Sequence, residues 1–182
     1  MIEELKIPDV KLINQKKFTD NRGYFFESFN QNRLAQQLGF DMKFVQDNIS
    51  VSSRNVLRGL HLQVDPKAQC KLISVIQGEI YDVAVDIRPK SSTFGKYVSV
   101  ILSSESSQKL YIPEGFAHGF SVISEKATVI YKTSEYYSPE NERSIRWNDT
   151  DLNIKWPVEN VNISEKDKNA DTFKQFCSYN LI

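Results

Sequence analysis

The sequence predicts an all-β protein, a sandwich or barrel with a few short peripheral helices. Three observations predict it. Several short runs in the middle of the chain are rich in β-branched and aromatic residues, and some alternate apolar with polar side chains, the period of a half-buried strand. Glycine and proline fall between these runs, where turns are needed. One early segment carries a full set of helix signals, and the rest of the chain carries few. Many short strands with few helices indicate a sandwich or barrel.

The elements follow in order. At residues 20–27, Asp-Asn-Arg-Gly-Tyr-Phe-Phe-Glu, Gly23 marks a turn, and Arg22 and Glu27 flank an aromatic strand. Asn30 can cap a helix in which Leu34 and Leu38 share a face, and Gly39 stands where a left-handed residue ends it. Residues 56–63 read as an apolar strand containing His61. Strands follow at 71–77, 79–88, 97–102, 109–112 and 127–133, with Gly78, Gly95, Pro113 and Gly115 between them. The charged stretch 164–171 reads as a solvated helix start capped by Ser164. No repeat, low-complexity tract or linker breaks the chain. Its 182 residues, 40% of them hydrophobic, suit one domain with a real core.

Composition excludes several classes. Lys plus Arg number 23 and Asp plus Glu 23, so the net charge is zero and there is no bulk attraction to nucleic acid or anionic membrane. Any anion must be held by a local cluster of bases. The 2 Cys, Cys70 and Cys177, make no disulfide framework. Without a secretory signal they read as reduced, in a cytoplasmic protein. No apolar run is long enough for a membrane span. The 2 His, His61 and His118, show no metal-ligand spacing with each other or with the cysteines.

Four segments carry candidate chemistry. Arg22 and Glu27 are either a surface ion pair beside a turn or binding groups. His61, near Arg58 and after Gln46-Asp47-Asn48, is either a satisfied core histidine or a general base, since imidazole titrates at about 6.5. Arg58 suits a phosphate or carboxylate. Lys71 opens an apolar strand and is functional only if its side chain points inward. In residues 112–120, Ile-Pro-Glu-Gly-Phe-Ala-His-Gly-Phe, a proline and two glycines present His118 on a rigid turn.

The Pro-x-Gly-x-x-His spacing ending at His118 resembles the second motif of the cupin superfamily, whose fold is a jelly-roll β-barrel. The stretch matching the first cupin motif reads His61-Leu62-Gln63, without the second histidine of metal-binding cupins. That resemblance implies a cupin that works without a metal and without another cofactor.

The segments together resemble the dTDP-4-dehydrorhamnose 3,5-epimerase family. The resemblance runs from about residue 10 to about residue 170. It includes Asp20-Asn21-Arg22-Gly23, Gln46-Asp47-Asn48, Leu57-Arg58-Gly59-Leu60-His61, Lys71-Leu72, Asp82 to Arg88, Ile112 to Phe120, Tyr131-Lys132, Trp147-Asn148-Asp149 and Ser164-Glu165-Lys166-Asp167. It implies a cupin-type jelly roll acting on a dTDP-4-keto-6-deoxyhexose in dTDP-rhamnose biosynthesis. By matching position, His61 is the proton acceptor and Tyr131 the donor. Asp167 orients the histidine, and Lys71 stabilises the enolate oxygen. Arg22, Glu27, Gln46, Asn48, Arg58, His118, Glu142 and Lys166 fall on substrate-contacting positions. The resemblance also implies a homodimer in which N-terminal strands cross to the partner.

The chemistry is self-consistent. Epimerisation beside a ketone needs a base on one face, an acid on the other and a cation at the oxygen, and no redox cofactor. A tyrosine with a reference pKa of about 10 remains protonated at neutral pH. Read without the resemblance, Tyr131 is equally a packing residue of its strand and Asp167 equally a cap of its segment. Arg22, Arg58 and Lys166 offer local positive charge for a diphosphate, and Phe26 or Tyr137 could stack on thymine. The competing classes are a single-carbon epimerase, a non-catalytic sugar-nucleotide-binding cupin and a metal-dependent cupin oxygenase.

Overall fold

The computed structural model describes residues 2–179. Its strands are β1 (Ile2–Glu4), β2 (Lys11–Asn14), β3 (Phe18–Asp20), β4 (Gly23–Phe25), β5 (Gln46–Ser53), β6 (Leu57–Gln63), β7 (Lys71–Gln77), β8 (Glu79–Asp86), β9 (Tyr97–Ser103), β10 (Gln108–Ile112), β11 (Phe116–Val122), β12 (Lys126–Thr133) and β13 (Glu142–Ser144). Its helices are α1 (Gln31–Leu38), α2 (Glu165–Lys168) and α3 (Phe173–Ser178).

A six-stranded sheet runs β1-β2-β10-β7-β12-β5, and a five-stranded sheet runs β13-β6-β11-β8-β9. Strands β3 and β4 form a separate hairpin. The pairings within the three sheets are antiparallel. Strands distant in sequence lie side by side because the chain crosses repeatedly between the sheets, as in the cupin-type jelly roll. The core between the sheets takes Leu12, Ile73, Leu110, Ile112 and Val129 from one side and Ile80, Ala84, Phe116, Phe120 and Val122 from the other. Each of these side chains except the small Ala84 stabilises the fold by roughly 1.5–3 kcal/mol on burial.

The outer faces are covered unequally. The C-terminal segment lays Leu152, Ile154 and Phe176 over Leu60, Leu62, Val83 and Val85 of the five-stranded sheet. Helix α1 lays Leu34 on Ile13, Leu72 and Tyr111 of the six-stranded sheet. As its sequence predicts, α1 is capped by the Asn30 side chain, which accepts from Arg33 N, and ends at Gly39 with a φ of 80°. Beyond α1 the six-stranded sheet leaves Ile49, Val51 and Ile76 exposed.

Boundaries differ from expectation at one instructive place. Strand β8 ends at Asp86, not at Arg88. The buried Asp86 carboxylate gathers Arg88 N, Nε and Nη2 together with the Ser91 and Thr93 hydroxyls, and this turns the chain back toward β9. Helix α3 and strand β5 have no counterpart among the expected elements. Among the described residues, no helix is long and apolar enough to cross a membrane.

Candidate functional site

Along the six-stranded sheet, inward side chains change from apolar to polar. In β12, Ala127 and Val129 give way to Tyr131 and Thr133, and in β7, Val75 and Ile73 give way to Lys71. Strand β5 turns Gln46, Asn48, Ser50 and Ser52 to the same face, opposite those β12 residues. The result is a cleft with two lobes. The larger, about 590 Å³, is lined by Asn48, Arg58, His61, Lys71, His118, Tyr131, Lys166 and Asp167, among others. The smaller, about 370 Å³, shares Asn48, His61, Lys71 and Tyr131 and adds Gln46, Tyr137 and Glu142. His61, Lys71 and Tyr131 therefore stand where the lobes meet.

His61 is placed by two glycines. A Cβ on Gly59 would lie 2.5 Å from Gly119 Cα, and Gly59 has a φ of +128°, so only glycine lets β6 approach β11 this closely. The register then sets His61 opposite His118. His61 Nε2 lies 2.6 Å from Asp167 Oδ1. Asp167 Oδ2 accepts from Gly59 N at 3.3 Å. The carboxylate sits in the short helix α2, whose cap Ser164 accepts from Asp167 N at 3.1 Å. Burial pushes the Asp167 pKa up, but the hydrogen bond from His61 leads the contributions that lower it, and the carboxyl ends below its ordinary value. It is thus an ionised acceptor. An acceptor at Nε2 means that Nε2 carries the ring hydrogen and Nδ1 is the free basic nitrogen.

Lys71 points inward and is buried; its Nζ donates to the His61 carbonyl at 3.1 Å. Burial drags its pKa down to about 8, against the fields of Asp82 and Glu142. Tyr131 stands on β12, beside β7 in the same six-stranded sheet, across from His61 of the five-stranded sheet. Burial, more than any charge, raises its phenol pKa, so it holds its proton at neutral pH. Arg58 Nε donates to Ser52 Oγ at 3.0 Å and lines the larger lobe. Glu142 Oε2 accepts from Lys166 Nζ at 2.5 Å and from Tyr137 Oη at 2.8 Å. Gln46 donates to Asn48 and accepts the Tyr137 N–H.

A base backed by a carboxylate, a neutral phenol opposite it and an ammonium between them can move protons on and off carbon beside a carbonyl. The sequence pattern of the family described as dTDP-4-dehydrorhamnose 3,5-epimerase matches residues 4–175. The chain belongs to this family. It is 52% identical over 168 residues to the dTDP-4-dehydrorhamnose 3,5-epimerase of Shigella flexneri, covering 92% of this chain and 93% of the relative. It matches the structure of dTDP-6-deoxy-D-glucose-3,5-epimerase RmlC from Legionella pneumophila Philadelphia 1, in complex with dTDP-4-keto-L-rhamnose, with a TM-score of 0.95, 46% identity and coverage of 100% of this chain and 96% of the other. It also matches ChmJ, a 3'-monoepimerase from Streptomyces bikiniensis in complex with dTDP-quinovose, with a TM-score of 0.91, 31% identity and coverage of 99% and 91%.

In this member of the dTDP-4-dehydrorhamnose 3,5-epimerase family, the cleft gathers most of the residues expected from sequence. Arg22 and Glu27 are not among its lining residues. Arg22 sits at the tip of the exposed β3–β4 hairpin, held by Asp20 at 2.6 Å. Glu27 pairs with Arg33 and accepts from Asn30, near α1. The hairpin strands are exposed along their length, and Glu27 is engaged beside α1, so neither side chain lines the cleft of its own chain. Phe26 likewise lines a groove on the outer sheet face, beside Phe29 and Leu72, and Tyr137 is the aromatic candidate that lines the cleft.

His118 lines the larger lobe and is held from behind. Its Nε2 is 3.0 Å from both oxygens of Asp82, and both residues are buried. Burial lowers its pKa, with Asp82 acting in the opposite direction. Asp82, which lines neither lobe, is the buried partner of a cleft residue. Its signal is parity: it shares an inward face with Ile80 and Ala84, where a lone carboxylate is untenable without a partner. Among the described residues, no three His, Cys, Asp or Glu side chains gather to hold a metal ion.

Proposed function

We propose that this protein epimerises dTDP-4-dehydro-6-deoxy-D-glucose at C3 and C5 to dTDP-4-dehydro-L-rhamnose, in dTDP-L-rhamnose biosynthesis. The observation that carries the proposal is the opposition of the His61–Asp167 pair on the five-stranded side and Tyr131 on the six-stranded side, with Lys71 between them. In this reading His61 Nδ1 takes the proton from carbon and becomes imidazolium against Asp167. The electron pair moves onto the C4 oxygen, where the Lys71 ammonium stabilises the enolate. Tyr131 Oη then gives a proton to the opposite face of the same carbon. Proton exchange with solvent resets both groups, and the cycle repeats at the second carbon. Arg58 and Lys166 hold the diphosphate in the larger lobe. Gln46, Asn48 and Glu142 contact the substrate from the smaller lobe, and His118 supports it from the cleft wall.

Each chain is read as one domain, and the active unit as a homodimer. The hairpin supports this: Phe18, Tyr24 and Phe25 are exposed, Phe25 at 70%, and such aromatic surface is unusual on a monomer. Arg22 and Glu27 then serve the partner's cleft. Conversion of the dTDP-4-keto sugar, followed by NMR, tests the reading. Wild-type protein should give the L-rhamno product and His61→Ala protein should not. The likeness to the 3'-monoepimerase favours one second reading, inversion at C3 alone, whose product would keep its C5 configuration.

A further inference from the structure

Lys71 has an unusual electrostatic setting. It is buried, and its one hydrogen bond among the described residues goes to a backbone carbonyl. The positive groups that share the cleft, Arg58 and Lys166, oppose its charge, as does any protonation of the two histidines. Tyr131 is neutral, and β10 presents Ile112 at the paired position. The charge of Lys71 therefore depends on the carboxylates.

Those carboxylates are not equivalent. Asp167 is matched by His61 at 2.6 Å, and Glu142 by Lys166 at 2.5 Å near the rim. Asp82 is wholly inaccessible to solvent, and its partner is a histidine that burial keeps toward the neutral form. A neutral His118 donating Nε2–H leaves the Asp82 charge uncancelled, inside a low-dielectric barrel. Geometry places Asp82 near Lys71: the Lys71 ammonium is held on the His61 carbonyl, His61 stands opposite His118, His118 and Lys71 line the same lobe, and Asp82 lies directly behind His118. Of the two carboxylates whose fields favour the charged form of Lys71, Asp82 acts more strongly than Glu142.

We infer that Asp82, which is shielded from the cleft by His118, is a positioning residue for the reaction: it fixes His118 in the cleft wall and supplies the uncancelled negative charge that keeps Lys71 cationic where the enolate oxygen forms. This rests on the epimerase reading for its consequence, though not for its electrostatics.

The test is Asp82→Asn in the full chain, which keeps the shape and a hydrogen bond to His118 but removes the charge. Lysine side-chain NMR, with Lys71 assigned through Lys71→Met, reads the Lys71 midpoint without substrate. The expected result is a fall of at least one pH unit, a tenfold loss of proton affinity. The alkaline limb of kcat/KM should move down with it. At pH 7 a fall of one unit leaves about half of Lys71 charged, so kcat/KM should fall about twofold, and further for a larger fall, with the loss in kcat rather than KM, because the enolate contact exists only after proton removal. A folded Asp82→Asn protein with an unmoved Lys71 midpoint overturns the inference. If that variant does not fold, His118→Asn decides. It leaves Asp82 charged, so an unchanged or raised Lys71 midpoint supports the inference and a lowered one overturns it. Wild-type protein that inverts neither carbon would remove the epimerase reading alone, because the NMR midpoint stands apart from turnover.

Discussion

His61 shows how one residue's role follows from its partner. A histidine in an apolar strand is ambiguous until its Nε2 is seen 2.6 Å from a buried carboxylate. With the carboxylate as acceptor, Nε2 carries the ring hydrogen, and Nδ1 is the nitrogen that the proposed reaction uses as base. Replacing Asp167 with Asn removes the charge that stabilises imidazolium and offers a competing donor. Asp167→Asn and His61→Ala should each lower kcat by about 10²–10⁴-fold, measured in steady state. Normal turnover in either variant contradicts the assignment. Tyr131→Phe should behave differently: the base still removes protons, so the substrate should exchange hydrogen with solvent while inversion collapses. Loss of both together would place Tyr131 outside the acid role. The pH profile carries a further expectation. Because the Lys71 pKa is lowered to about 8, its ammonium is lost as pH rises through that value, and kcat/KM should decline there rather than near the ordinary lysine value of 10.5. A kcat/KM that is flat through pH 9 contradicts the role of Lys71 at the enolate.

Individual elements show which signals were legible in sequence and which were not. Strands β7, β8 and β12 carry the β-branched and aromatic residues of strands, so their existence could be read directly, while the inward direction of Lys71 needed the structure. Strand β5 inverts the apolar-in rule. It turns Gln46, Asn48 and Ser50 inward, where they line the cleft, and exposes Ile49 and Val51. A pattern read as apolar-in therefore gives no strand there, and the inversion is itself a mark of a polar cleft. Helix α2 was visible through its cap, but its four residues owe their place to packing on β6. The cap matters for chemistry as well as stability. Ser164→Ala should cost about 1 kcal/mol by urea titration, the usual worth of such a cap, and should also lower kcat because the cap holds the Asp167 backbone. The β8–β9 turn could not be foreseen, since its cause is the carboxylate of Asp86 collecting groups from the following residues. The folded Asp86 carboxyl titrates near 2, below the 3.8 of an ordinary aspartate. Above about pH 5 both forms are ionised and its contribution is complete. Between about 5 and 2 the unfolded chain binds the proton first, and the contribution disappears. Asp86→Asn should therefore destabilise the protein at pH 7, and the difference from wild type should shrink as pH falls through that window. A difference independent of pH would contradict the ionic account.

The whole molecule unites a polar cleft with an exterior that carries exposed apolar side chains on its sheet and hairpin. The jelly roll buries a common core and leaves one polar mouth where two walls face each other. Its outer sheet exposes Ile49 at 65%, and its aromatic hairpin carries Arg22 away from the chain's own cleft. That placement was open in the sequence, because the motif around Arg22 says what the residue resembles and not which chain's cleft it serves. If Arg22 completes the partner's site, Arg22→Ala and His61→Ala homodimers should each be poorly active, and subunit exchange between them should recover activity through mixed dimers with one intact site. Mixed dimers that gain nothing would place Arg22 outside catalysis. The central claim is that one base and one opposed acid invert two carbons of a single substrate. It is tested most directly by turnover of dTDP-4-dehydro-6-deoxy-D-glucose in heavy water with deuterium read separately at C3 and C5. The account predicts solvent deuterium and inverted configuration at both carbons. Deuterium and inversion at one carbon only, or at neither, would contradict it.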